Sequence, residues 1–134
     1  MSSSVIPVLR YQDAPKAIEW LCDAFGFQAQ LVVEPEPGMI AHAQLIHGSG
    51  MVMLGSARED EFGGQVATVQ TTGKPTAAFY VIVEDVEAHA EHARSAGAEI
   101  TIEPTEQDYG GSDYTCRDFE GNLWSFGSYK PWTD

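Results

Sequence analysis

Asp13-Ala14-Pro15-Lys16-Ala17-Ile18-Glu19-Trp20-Leu21-Cys22-Asp23-Ala24-Phe25-Gly26 reads as a complete helix with both ends written in. Asp13 suits the N-cap, Pro15 sits in a first turn where a missing N–H costs little, and Gly26 suits the C′ position. Ala17, Ile18, Leu21, Ala24 and Phe25 recur at helical spacing and form one apolar face. The pattern then returns. Asp85-Val86-Glu87 caps a second helix, Val86, Ala90 and Ala93 give its inner face, and Gly97 ends it. Asp13 and Asp85 are 72 residues apart, Gly26 and Gly97 71, and Gly55 and Gly127 72. A repeat this long is a supersecondary module written twice, so equivalent positions can be compared within one chain.

Working outward from the first helix, residues 5–11 read as a strand before it and 27–33 as a strand after it. Glu34-Pro35-Glu36-Pro37-Gly38 is a loop, and residues 39–47 and 51–55 form a hairpin about Gly48-Ser49-Gly50. Around the second helix, residues 77–83 and 98–103 are strands and 107–111 a loop. The chain closes on a hairpin of 112–117 and 123–129 about Phe119-Glu120-Gly121-Asn122. Residues 57–76, with Gly63-Gly64, Gly73 and Pro75, form a linker with room for a short extra element. The expected fold class is α+β: two βαβββ modules in tandem, about 5–56 and 77–130, forming a curved mixed sheet that encloses a cavity within a single domain of residues 1–134.

With 134 residues, 43% of them hydrophobic, the chain can bury a real core. The net charge of −13 speaks against nucleic acid and anionic membrane surfaces as partners. No run of about 20 apolar residues predicts a membrane span, and Met1-Ser2-Ser3-Ser4 lacks the basic-then-apolar pattern of a signal sequence. Cys22 and Cys116 do not make a disulfide framework; reduced thiols and a cytoplasmic location are expected.

Three stretches carry a resemblance: Ile6-Pro7-Val8-Leu9-Arg10-Tyr11-Gln12-Asp13, Phe25-Gly26-Phe27, and Asp118-Phe119-Glu120-Gly121-Asn122-Leu123-Trp124-Ser125-Phe126. With them the chain resembles the vicinal oxygen chelate superfamily, which includes glyoxalase I, the bleomycin-resistance proteins and the extradiol dioxygenases. In metal-using members the resemblance implies four ligands, His, Gln or Glu, one from the first and one from the last strand of each module. Carried onto this chain, those positions hold Ile6, Met53, Ala78 and Ser125, and both Ile6–Ala78 and Met53–Ser125 keep the spacing of 72. Isoleucine and alanine have no donor atom, methionine is a soft thioether and serine a neutral hydroxyl, so no metal and no cofactor is expected. The resemblance then implies the bleomycin-resistance branch, in which a small molecule is held without metal in a groove between two subunits of a homodimer.

Strand alternation sends Arg10 to the cavity side with Ile6 and Val8, Met53 with Met51, Tyr80 with Ala78 and Ile82, Ser125 with Leu123, and His42 with Gln44. Tyr114 and Cys116 are expected beside Ser125, with the hairpin register open. Tyr80 and Trp124 could stack a flat ligand, core packing being the rival reading for Trp124. Arg10 could clamp a carboxylate or phosphate, or pair with Asp13 or Asp118. His42 could act as a general base or be an ordinary strand histidine. His89 and His92 read as a solvated helix face, Glu103, Glu106 and Asp108 as solvated loop acids, and Tyr109-Gly110-Gly111 as a mobile flap. The function expected is metal-independent small-molecule binding, in drug or metabolite sequestration. The alternatives are a metal-dependent lyase, isomerase or dioxygenase recruiting His42, Gln44 or glutamates, and a non-catalytic interaction or sensor module.

Overall fold

The computed structural model describes residues 3–132. Met1 and Ser2, part of the stretch read for a signal sequence, lie outside the described residues. Two compact units divide the chain, one ending at Thr72 and the other beginning at Gly73.

The first unit contains β1 (Val8–Tyr11), α1 (Ala14–Phe25), β2 (Gln28–Val33), β3 (His42–His47) and β4 (Gly50–Ser56). A 3-10 turn at Gly63–Gln65 and a single helical turn, α2 (Val69–Thr72), follow within the linker. The sheet order is β1-β4-β3-β2, with β1 parallel to β4 and the other pairs antiparallel. β1 starts at Val8 rather than at residue 5, because Pro7 brings no N–H to the ladder. Its carbonyl still accepts from the Met53 N–H at 2.9 Å.

The second unit contains β5 (Ala78–Ile82), α3 (Val86–Ser95), β6 (Glu99–Glu106), β7 (Ser112–Arg117) and β8 (Leu123–Gly127). Its sheet order, β5-β8-β7-β6, repeats that of the first. The repeat also holds in register: Val8 pairs with Met53 as Tyr80 pairs with Ser125, and Arg10 with Gly55 as Ile82 with Gly127. The architecture is α+β with tandem modules, each carrying its own open sheet of four strands. β6 runs three residues beyond the expected end, to Glu106. Pro104 is tolerated there because β6 is an edge strand and its register shifts between Ile102 and Thr105.

Both helix ends form as written. Asp13 Oδ1 accepts from the Lys16 N–H at 3.2 Å, and Gly26 closes α1 at φ 89°. Asp85 Oδ1 accepts from the Ala88 N–H at 3.1 Å, and Gly97 turns the chain at φ 104°. The two units fill their cores in opposite ways. α1 buries Leu21 and Phe25 completely, on a sheet that answers with Leu9, Ala43, Leu45 and Leu54. α3 offers Val86 and two alanines, Ala90 and Ala93, and the sheet supplies the volume through Tyr114, Trp124 and Phe126. Interiors are close-packed, so a small helix face needs large partners. The Tyr114 and Phe126 rings lie 5.5 Å apart at 23°, and Trp124 and Phe126 6.3 Å apart at 12°.

This packing corrects three of the cavity expectations. Tyr114 pairs with Phe126 and Cys116 with Trp124, so all three candidates, Tyr114, Cys116 and Trp124, lie on the helix side and are fully buried. Burial pushes the Cys116 thiol up to about 12 and raises the Tyr114 phenol well above its ordinary value. His89 departs from the solvated reading in turn. Its Nδ1 lies 2.6 Å from the Tyr114 hydroxyl, and its ring is 4.3 Å from that of Phe126. Val86, His89, Ala90 and Ala93 share one face by helical spacing, while His92 stays exposed.

The turn between β7 and β8 is organised by Asp118, a buried carboxylate. Its Oδ1 accepts from the backbone N–H groups of Glu120 and Asn122, each at 3.0 Å, and its Oδ2 from the Trp124 indole N–H at 3.1 Å. Donors on both oxygens are what make a buried carboxylate tolerable.

Candidate functional site

The face of the second sheet turned away from α3 carries alternate residues of β5, β8 and β7. Tyr80 stands opposite Ser125, and Ser125 opposite Thr115, with 2.8 Å between the Ser125 and Thr115 hydroxyls. Asp113 stands opposite Gly127 in the same register. The result is a cleft of about 450 Å³ lined by Ala78, Phe79, Tyr80, Tyr109, Asp113, Ser125, Tyr129 and Pro131. That is within the size range of small-molecule sites, roughly 300–1,000 Å³.

Hydrogen bonds fix the walls. The Tyr80 hydroxyl donates to the Tyr129 carbonyl at 2.7 Å. The Tyr109 hydroxyl donates to Asp113 Oδ2 at 2.9 Å, and the Gln107 amide to Oδ1 at 2.8 Å. Tyr109 and Tyr129 meet edge to face with ring centres 4.8 Å apart. The 107–111 loop is therefore tied down, and its backbone closes on itself through the Gln107 N–H to the Gly111 carbonyl at 2.9 Å. Tyr80 is raised by burial and by the Asp113 charge, and Tyr109 first by its bond to Asp113. Both remain neutral phenols at physiological pH.

The remaining expected residues lie in the first unit. His42, Gln44 and Gln30 form a chain on the open face of its sheet: His42 Nε2 to Gln44 Oε1 at 2.8 Å, then Gln44 Nε2 donating to Gln30 Oε1 at 2.7 Å. Met53 stands opposite Gln44 in the same sheet. Arg10 pairs neither with Asp13 nor with Asp118. Its guanidinium donates to the Ser56 carbonyl at 3.1 Å, lies 3.8 Å from Asp60 and covers the Phe62 ring at 5.0 Å, leaving its side chain only 9% exposed. Arg58 grips the same Asp60 at 2.8 Å and also donates to the carbonyls of Ile40, Ala41 and Ser56, each at 3.2 Å. The Gly63 N–H, the two arginines and their charges hold the Asp60 carboxyl below its ordinary value, the backbone bond having the largest part. A smaller hollow of about 170 Å³ is bordered by Arg10, Gln12, Arg58, Thr68 and Thr71.

The donor set for a divalent ion can be tested on these positions. Ile6 precedes β1, Met53 lies in β4, and neither offers nitrogen or oxygen. Ala78 and Ser125 line the cleft, and the Ser125 hydroxyl already bonds Thr115. These side chains do not fit a divalent ion. Among the described residues no group of three or more His, Cys, Asp or Glu side chains is placed to hold one. No helix among them is long and apolar enough to cross a membrane.

Of the residues expected on the cavity side, Ala78, Tyr80 and Ser125 line the cleft together. Sequence reasoning missed Asp113 and Tyr129, and took Tyr109 for part of a flap. The signal for Asp113 lay in the repeat: at a spacing of 71, His42 and Gln44 correspond to Asp113 and Thr115, and Ala43 to Tyr114. The register bears this out, since Gln44 faces Met53 as Thr115 faces Ser125.

Comparison with known proteins agrees with this architecture. TioX from Micromonospora sp. ML1 has a structure similar over 96% of this chain and 100% of its own, at TM-score 0.77 and 30% identity. An uncharacterized protein of Mycobacterium bovis is 30% identical over 122 residues, covering 90% of this chain and 80% of its own. The fosfomycin resistance protein FosX from Mesorhizobium loti shares the fold alone, at TM-score 0.69 and 9% identity over 98% of this chain and 95% of its own. The family model of the Glyoxalase/Bleomycin resistance protein/Dioxygenase superfamily matches residues 5–126, and the chain belongs to that superfamily.

Proposed function

We propose that the chain is a metal-independent small-molecule-binding protein of the glyoxalase/bleomycin-resistance type, sequestering a drug or metabolite in the cytoplasm as a homodimer. The observation that carries this reading is the cleft of the second unit. Where relatives that use a metal would present His, Gln or Glu, Ala78 and Ser125 form part of a wall of aromatic rings. Apolar and aromatic walls with a few polar groups are the usual composition of a small-molecule site. A metal would supply the electrophile for the superfamily's lyase and dioxygenase chemistry, and the residues at the four positions give it no purchase. His42 hydrogen-bonds Gln44, which in turn donates to Gln30, and this favours a structural role over metal recruitment.

Native mass spectrometry of protein purified without chelators tests the reading. The expected species is a dimer free of metal that carries, or takes up, an organic ligand. A stoichiometric divalent ion that disappears in His42→Ala would overturn it. A ligand that binds only the native state must also raise Tm, so a ligand screen by thermal shift gives a second measurement.

A further inference from the structure

We infer that the cleft of the second unit selects a planar organic cation. The inference rests on the binding reading above and names the ligand class.

The open sheet faces carry three charged groups that bear on the choice of ligand: Arg10 in the first unit, and Asp113 and Arg117 at opposite ends of β7 in the second, of which Asp113 lines the cleft and Arg117 turns to the Gly121 carbonyl at 3.5 Å. Arg10 is already answered by Asp60, by the Ser56 carbonyl and by the Phe62 ring, so an anion gains little from it. Asp113 is not answered. Its partners are the Gln107 amide and the Tyr109 hydroxyl, both neutral, and no ion pair among the described residues includes it. It stands in the cleft as a carboxylate without a counter-charge.

The tyrosines complete the argument. The hydroxyls of Tyr80 and Tyr109 donate to the Tyr129 carbonyl and to Asp113, so neither O–H is free to donate to a ligand. What they and Tyr129 present to the cleft is ring surface, whose faces attract cations. Burial and the Asp113 charge keep Tyr80 protonated, and the bond to Asp113 keeps Tyr109 so, which leaves Asp113 as the source of negative charge. A neutral flat ligand would strip water from Asp113 and return nothing for it. An anion would be repelled. A flat cation stacks on the rings and supplies the missing charge at once.

Gly127 makes this arrangement possible. A β-carbon there would lie 2.6 Å from the Tyr80 hydroxyl and 2.8 Å from the Asp113 β-carbon, so only glycine lets ring and carboxylate converge over β8.

The test is isothermal titration calorimetry of the full chain with three probes of one shape: 10-methylacridinium, acridine at a pH where it is uncharged, and acridine-9-carboxylate. The cation should bind at least about tenfold tighter than acridine, and the anion weakest. Asp113→Asn should abolish that preference, weakening the cation at least about tenfold and leaving acridine no weaker than in wild type, because the neutral side chain is less costly to dry. Tyr109→Phe keeps the ring and removes a donor from Asp113, so it should widen the ratio of cation to acridine affinity severalfold; it carries the test if Asp113→Asn does not fold. Acridine binding as tightly as the cation, or a cation preference untouched by both substitutions, would overturn the inference while leaving small-molecule binding intact. Failure of all three probes to bind would count against the binding reading as well.

Discussion

The Tyr80 ring lies against the backbone of Gly127, so close that a β-carbon on Gly127 would fall 2.9 Å from Cε1 and 2.6 Å from the hydroxyl. Gly127→Ala should therefore push Tyr80 and Asp113 apart. Overpacking of this kind costs about 1–3 kcal/mol. Urea denaturation should show the midpoint falling with an unchanged slope, and the cleft should lose affinity for any ligand it takes. The equivalent position in the first unit, Gly55, would place its β-carbon 3.2 Å from the Ile40 and Ala41 carbonyls. Gly55→Ala should be milder, because the distances leave more room.

Asp118→Ala would leave the Glu120 and Asn122 N–H groups and the Trp124 indole without their shared acceptor. The expected loss is about 3 kcal/mol, most of it from stranding buried donors. Asp118→Asn keeps one carbonyl oxygen and should cost less. Trp124 reports on both directly, and its emission should shift to the red in Asp118→Ala as the indole gains water.

Cys116 gives an alkaline signature. Its folded value of about 12 lies above the ordinary thiol value of 9.0, so between the two the unfolded chain releases a proton that the folded chain retains. Its contribution to stability is complete below pH 9.0 and is lost as pH rises towards about 12, with a slope of at most about 1.4 kcal/mol per pH unit from this group. Tyr114 is raised as well and steepens the fall at the top of the range. Cys116→Ala should flatten the profile in a pH series of chemical denaturation. A slope unchanged by the substitution would mean that the thiol ionises in place. In native protein, thiol reagents should modify Cys22, which is half-buried, well before Cys116.

Asp60 ties the start of the linker to β1 through Arg10 and to the β4 end through Arg58. In Asp60→Asn the two arginines lose their shared counter-charge, and trypsin should cut after Arg58 severalfold faster. Fragment masses from limited proteolysis would show this. The depressed carboxyl value sets the direction with acid: the tie holds above the ordinary carboxylate range and is lost as pH falls through the lowered folded value. Wild type and variant should therefore converge in urea midpoint at low pH.

The helices were legible in the sequence because their signals are local. Asp13 with Gly26, and Asp85 with Gly97, mark ends that depend on the chain's own backbone. The two hairpins were legible from their turns, which are local as well. The wall of the cleft was harder to read, and each miss has a physical cause. The repeat slips from 72 to 71 between the helix caps and the glycines that end the helices, and only the smaller spacing puts Asp113 and Tyr114 on their correct faces. A slip of one residue exchanges the two sides of a strand, and with the register of this hairpin open, Tyr114 and Cys116 could not be assigned to the helix side from their neighbours alone. Tyr129 lies beyond the end of β8 and enters through a carbonyl bonded to Tyr80, a contact with no periodicity to announce it. Arg10 finds Asp60 across a long stretch of chain for the same reason.

The opposite filling of the two cores means that the modules share a blueprint without being spare parts for one another. A chimera with α1 in both places would drive Leu21 and Phe25 into space that Tyr114, Trp124 and Phe126 already occupy. One with α3 in both would lay alanines over Ala43 and Leu45 and leave a void. Whatever made the two halves alike, each helix is now keyed to its own sheet, and a recombination boundary inside either module would break a lock that one placed between Thr72 and Gly73 leaves untouched.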